Sequence, residues 1–160
     1  MKKVTIYTDG ACLGNPGPGG YGVVLLYNGH RKEISGGFRL TTNNRMEIYA
    51  AIVGLSALNC SCEVTLYTDS RYLADAMNKG WVRRWKAKGW MRNKKEKALN
   101  VDLWKKLLEL CEKHKVKFIW VKGHDGNPEN ERCDELSTSA ARLPDLPADE
   151  GYERSIKNSK

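Results

Sequence analysis

The 160-residue chain is 41% hydrophobic and 29% charged, with 15 Gly and 5 Pro. That is the composition of one ordinary globular domain, long enough to bury about two thirds of its unfolded surface without staples, which excludes disorder as the main state. No run of 18 uncharged apolar residues exists, and the stretch from Met1 reaches Asp9 before a signal-like apolar segment forms, so a cytoplasmic protein, taken as a monomer, is expected. The five cysteines, Cys12, Cys60, Cys62, Cys111 and Cys133, form no C-x-x-C pair and are expected as reduced thiols. The net charge of +8 is concentrated. Between Lys79 and Lys97 nine Lys and Arg face only Glu96, and the remaining 18 basic and 18 acidic residues cancel.

In chain order, Val4–Thr8, Tyr21–Tyr27 and Arg31–Arg39 have strand patterning, and the Asn28-Gly29 pair between the last two is a strong hairpin signal. The loop Gly14–Gly20 is punctuation between strands. After it the period becomes helical. Thr41-Thr42-Asn43-Asn44 offers caps, and Met46, Ala50, Val53 and Ala57 recur at helical spacing with further apolar residues beside them. Glu63–Thr68 is a fourth strand, Ser70 caps a short helix to Met77, and the basic segment follows. Asn100 is predicted to cap a helix with Val101, Trp104, Leu107, Leu108 and Cys111 inward. Lys117–Val121 is a fifth strand, and Asn127-Pro128 opens the last helix. The order βββαβααβα is that of an α/β fold, a mixed sheet flanked by helices. From Leu143 to Lys160, two prolines and a polar remainder predict a mobile tail outside the domain of residues 1–142.

Two strands end alike, Tyr7-Thr8-Asp9-Gly10 and Tyr67-Thr68-Asp69-Ser70. Ligands bind beyond the carboxyl ends of strands in open α/β sheets, so if these strands lie side by side and parallel, Asp9 and Asp69 meet. Taken singly, each Asp is equally a cap. Glu47 falls on or beside the packing face of the intervening helix, where a carboxylate is costly unless paired, protonated or metal-bound. In Asn130–Leu136, Glu131, Asp134 and Glu135 share a helix side, and spacing does not choose among them. Carboxylates gathered without cations point to hard divalent ions, Mg2+ or Mn2+ rather than zinc. His124, in a glycine-flanked loop before the last helix, is a surface residue by default. It also stands within reach of that site and suits proton transfer.

The basic segment, residues 79–98, interleaves its cations with Trp81, Trp85 and Trp90. Cations for phosphates and rings for sugars or bases make a nucleic-acid footprint. The competing expectation is that the indoles anchor the segment to the core while only the cations face out.

Thr8-Asp9-Gly10-Ala11-Cys12, Gly14–Gly22, Thr42–Glu47, Thr68-Asp69-Ser70, Val121–His124 and Pro128–Asp134, in that order, make the chain resemble a bacterial type 1 ribonuclease H over residues 2 to 142. The resemblance implies a ribonuclease H-like fold, a five-stranded mixed sheet flanked by helices with a basic helical protrusion. It implies an endonuclease that cuts the RNA strand of RNA–DNA hybrids, leaving 5′-phosphate and 3′-hydroxyl ends. It selects Asp9, Glu47, Asp69 and Asp134 as a tetrad holding two Mg2+ ions about 4 Å apart, with Mn2+ as a substitute, and sets His124 beside them. For hybrid binding it points to Gly10, Cys12, Asn15, Asn43 and Asn44 in the minor groove and to Thr42 and Asn100 on a DNA-strand phosphate. Trp81, Arg84, Trp85, Lys86, Lys88 and Trp90 fall on the protrusion.

Four departures stand out. Arg71 replaces an amide expected on the RNA strand, and Leu40 sits near the phosphate pocket where a relative would offer Arg. Asp125 beside His124 is expected to raise its pKa. Gly80 is an insertion suited to a left-handed helix end. The alternatives are a related nuclease acting on DNA structures and a non-catalytic hybrid-binding module.

Overall fold

In the computed structural model, which describes residues 1–158, β1 (Lys2–Cys12), β2 (Gly17–Tyr27) and β3 (His30–Thr41) form the predicted antiparallel meander. Asn28 and Gly29 both take positive φ, 49° and 82°, the conformation that lets a two-residue turn match the twist of its strands. β4 (Cys62–Thr68) pairs in parallel with β1, and β5 (Lys115–Trp120) in parallel with β4, giving the order β3-β2-β1-β4-β5.

One face of the sheet carries α1 (Asn43–Ser56), which the side chain of Thr42 caps by accepting from the Arg45 N–H. α1 is apolar nearly all round because it lies between the sheet and α4 (Val101–Lys113). Ile48, Ile52 and Leu55 join Ile6, Val23, Leu66 and Trp104 in the core, each fully buried aliphatic side chain contributing roughly 1.5–3 kcal/mol. The opposite face carries α5 (Pro128–Ala141), capped as predicted by Asn127, whose side chain accepts from the Asn130 N–H. α5 rests on bare β2 backbone: a Cβ at Gly22 would stand 2.5 Å from the Cys133 carbonyl oxygen. α2 (Arg71–Asn78) begins at the predicted cap Ser70. Gly80, at φ 72°, turns the chain into α3 (Trp81–Ala87), a helix inside the basic segment.

Two expectations differ from the structure. Asn100 precedes α4 but makes no side-chain cap; its φ is 61°, and its amide instead donates to the Tyr72 hydroxyl and accepts from Arg45. The segment beyond Leu143, predicted as a mobile tail, carries a helix that its composition did not announce, α6 (Glu150–Asn158), and the last two residues of that expectation lie outside the described residues. The segment is held by charge rather than by apolar burial. Asp149, buried, accepts from Arg45 Nε at 2.8 Å, Arg45 Nη2 at 3.0 Å and the Thr41 hydroxyl at 2.7 Å. Arg45 also grips Asp102 with two bonds of 2.7 and 2.9 Å. Burial alone would raise the Asp102 carboxyl, but hydrogen bonding and charge from Arg45 outweigh it and hold that carboxyl below its usual range. On the surface, Glu153 binds Arg39, and the Arg39 N–H donates to the Pro147 carbonyl.

Candidate active site

The parallel register ends where Thr8 stands opposite Thr68. Asp9 and Asp69 are each the next residue, so the two acids leave the ladder side by side. The two strands do not end alike, however: β1 runs on to Cys12 by pairing with β2, with Asp9 opposite Gly22, whereas β4 stops at Thr68. Asp9 is therefore held inside a strand, with its Oδ1 accepting the N–H of Gly10 at 2.8 Å.

Glu47 comes from the other face. α1 approaches β1 so closely at Gly10 that a Cβ there would lie 2.5 Å from the Glu47 N and 2.8 Å from the Met46 Cβ. Any side chain at position 10 would push α1, and Glu47 with it, away from the sheet. As a result, carboxylate oxygens of Asp9, Glu47 and Asp69 lie within 4.8 Å of one another. Asp9 and Glu47 are each only 4% exposed, and the Glu47 Oε1 is buried without a hydrogen-bond partner among the described residues.

This crowding is expensive without a cation. Burial first, then the charge and hydrogen bond of Asp69, push the Asp9 carboxyl up to about 8, against the weaker opposing pull of the Gly10 N–H. Burial, then the charges of Asp9 and Asp69, push Glu47 well above the usual carboxylate range. Oxygen-only donors, one of them orphaned, in a site where like charges cannot all ionise, suit a hard divalent cation.

A groove of about 490 Å3 opens over these groups. Asp134 of α5 and the exposed His124 line it, Asp134 outside the tight cluster of three. The loop carrying His124 crosses close above Asp69, since a Cβ at Gly123 would lie 2.8 Å from its Oδ2. Gly10, Cys12, Asn43, Asn44 and Arg71 line the same groove. Arg71 stacks its guanidinium 3.9 Å from the centre of the Trp120 ring, and the Trp120 Nε1 donates to the Asp69 carbonyl at 3.1 Å. Arg71, the Trp120 indole and the end of β4 are thus braced together.

The other named residues lie elsewhere. Asn15, Thr42 and Asn100 line an adjacent groove, and Asn44 borders both. Asn15 is held by accepting the Asn43 N–H at 3.0 Å. Trp81, Trp85 and Trp90 are half-buried and pack against the core, Trp85 with its ring centre 6.3 Å from that of Trp104. Arg83, Arg84, Lys86 and Lys88 are exposed, Arg84 donating to the Lys79 carbonyl at 2.9 Å. The indoles therefore stand as anchors and the cations as the outward surface.

The sequence did not single out Arg45, Tyr72, Trp120 or Asp149. Arg45 had one available signal: a cation in the first turns of an otherwise apolar helix requires a buried acidic partner. Asp149 had none, because its partner is 104 residues away.

The sequence model of the RNase H family matches residues 1–142. The chain is 70% identical over 152 residues to a ribonuclease H of Syntrophus aciditrophicus, covering 95% of this chain and 88% of that one. It is 61% identical over 152 residues to a ribonuclease HI of Synechocystis, covering 94% and 95%. Among solved structures it is similar to LC9-RNase H1, a type 1 RNase H with the type 2 active-site motif, with a TM-score of 0.79 and 34% identity over 88% of this chain and 72% of that one. It is also similar to LC11-RNase H1, solved in complex with an RNA/DNA hybrid, with a TM-score of 0.67 and 27% identity over 86% and 96%.

Proposed function

Because the chain belongs to the RNase H family, we propose that it hydrolyses the RNA strand of RNA–DNA hybrids at the groove over Asp9, Glu47 and Asp69. The crowding of those three carboxylates carries the proposal: a phosphodiester would be repelled there unless divalent cations come with it. Asp9, Glu47, Asp69 and Asp134 would hold two such ions, Mg2+ in the first place and Mn2+ as a substitute. When bound, they supply positive charge to the phosphate and electrophilic assistance to its displacement, leaving 5′-phosphate and 3′-hydroxyl ends.

The chain's own residues do the remaining work. Asp9 orients, since the Gly10 N–H and the β1–β2 ladder fix its carboxylate. His124, exposed on its loop above Asp69, carries a proton to or from the reacting oxygens. Asn43 and Asn44, at the start of α1, offer amides that both donate and accept, which suits the 2′-hydroxyls of a wide, shallow minor groove and selects RNA in the cut strand. Arg71, braced on Trp120, presents a fixed fork to a phosphate of that strand. The exposed cations of residues 79–98 attract the other strand.

A labelled RNA–DNA hybrid, incubated beside the matching RNA and DNA duplexes with and without magnesium, tests the proposal. Cleavage of the hybrid's RNA alone, dependent on magnesium, is expected. Cleavage of a DNA substrate instead would favour a DNA-structure nuclease, and binding without cleavage a silent hybrid-binding module.

A further inference from the structure

The groove beside the carboxylate site is the larger of the two, about 590 Å3 against 490 Å3, and one of its walls is α6. Its donors come from segments far apart in sequence: Asn15, Thr42 and Asn44, Asn100, and Arg154 on α6. The acid on its floor, Asp102, is neutralised by Arg45. Arg154 is exposed and makes no ion pair among the described residues, while its helix neighbour Glu153 is held by Arg39. The contact that docks the C-terminal segment, Asp149 on Arg45, reaches the groove itself, because the Arg45 Nη1 lies 3.5 Å from the Asn100 Oδ1. The segment's anchor and the groove's floor are one network.

A free guanidinium with amide and hydroxyl donors, and no unpaired acid, suits a phosphodiester without the help of metal. The carboxylate groove has the opposite character, and Asn44 stands between the two. A duplex presents its two backbones on either side of its minor groove. If one strand lies over the carboxylates and Asn44 faces the groove, phosphates beyond Asn44 belong to the other strand. We propose that α6 belongs to the substrate-binding surface and that Arg154 binds a backbone phosphate of the strand that is not cut. The proposal rests on the hybrid reading above, in which the resemblance sets Thr42 and Asn100 on a DNA-strand phosphate, and what it adds to that groove is a contact from outside residues 1–142.

The full-length chain and its Arg154→Gln variant are compared on one RNA–DNA hybrid, by affinity in calcium over a range of salt and by turnover in magnesium. Lys157→Gln, which removes the same charge from α6 outside the groove, controls for net charge. Arg154→Gln is expected to weaken binding several-fold, with the loss in KM rather than kcat. The slope of log affinity against log salt should fall by about 0.7–0.9, the value for one neutralised phosphate. Lys157→Gln should stay near wild type. Single methylphosphonates placed along the DNA strand should include one that weakens the wild type and leaves the variant unaffected. Equal affinity and slope for Arg154→Gln and wild type, or a sensitive methylphosphonate found only in the RNA strand, overturns the proposal. Wild-type cleavage, run in parallel, separates the failures: an uncut hybrid defeats the hybrid reading as well, whereas a cut hybrid with an indifferent Arg154 defeats this inference alone.

Discussion

The carboxylate groove and the basic protrusion handle charge in opposite ways. In the groove, Asp9 and Glu47 are buried beside Asp69 with no Lys or Arg side chain paired to them among the described residues, so the protein itself supplies no charge to offset their crowding. On the protrusion, Arg83, Lys86 and Lys88 stand in solvent with no ion-pair partner among the described residues, and the apolar rings between them face inward. Burial makes a charge sensitive to geometry, whereas exposure makes it sensitive to salt. The first region should therefore respond to single-atom changes and the second only to the number of charges.

The largest expected effect is on the buried side. Asp9→Asn or Asp69→Asn should drop turnover below detection while the fold and hybrid binding persist, since each change removes one charge without altering shape. Hydrolysis within tenfold of wild type for either variant would break the assignment of these acids to the reaction. His124→Ala comes next, with turnover slowed about 10- to 1000-fold and not abolished, because water can partly replace a proton carrier. Rates matching wild type across the pH range would remove His124 from the mechanism.

Stability in the absence of divalent ions should show the cost of the crowding directly. The Asp9 carboxyl titrates near 8 when folded and near 4 when unfolded, so between those values the folded state holds a proton that the unfolded state has released. Its contribution to stability is therefore lost as pH rises from about 4 to 8, and is level above that. Asp9→Asn, which cannot ionise, should be more stable than wild type at pH 8, by on the order of a few kcal/mol at most, and the advantage should vanish near pH 4. Thermal unfolding of both proteins in chelator across that range is the check; an advantage that does not grow with pH would contradict the raised carboxyl.

The smallest effect on turnover should come from the protrusion. Neutralising Arg83, Arg84, Lys86 and Lys88 together should weaken hybrid binding and flatten its salt dependence, by a slope of order 0.9 for each phosphate the variant no longer neutralises, on the B-form duplex scale. Turnover at saturating hybrid should survive. Parallel plots of log affinity against log salt for wild type and variant, measured in calcium, would show that these cations only solubilise the surface.

Much of this was legible from local pattern. The Asn28-Gly29 turn, the Thr42, Ser70 and Asn127 caps, and the two Thr-Asp strand ends depend on a few neighbouring residues, and local preferences decide them. The acidic cluster could be suspected because a glutamate within a packing helix has to be explained. Spacing did not decide which acid of α5 enters the groove; the resemblance pointed to Asp134, and the packing supplies the physical reason. Glu131, Asp134 and Glu135 share a helix side, and the seating of α5 on the bare backbone of Gly22 turns Asp134 inward while Glu135 bonds Arg132. The C-terminal segment differs from its sequence expectation for a related reason. Composition reports what a segment could bury, and α6 buries none of its own residues. What holds it is Asp149 meeting a buried Arg45, an interaction with no sequence period and no local signal, because it exists only once the sheet, α1 and α4 have closed around that arginine.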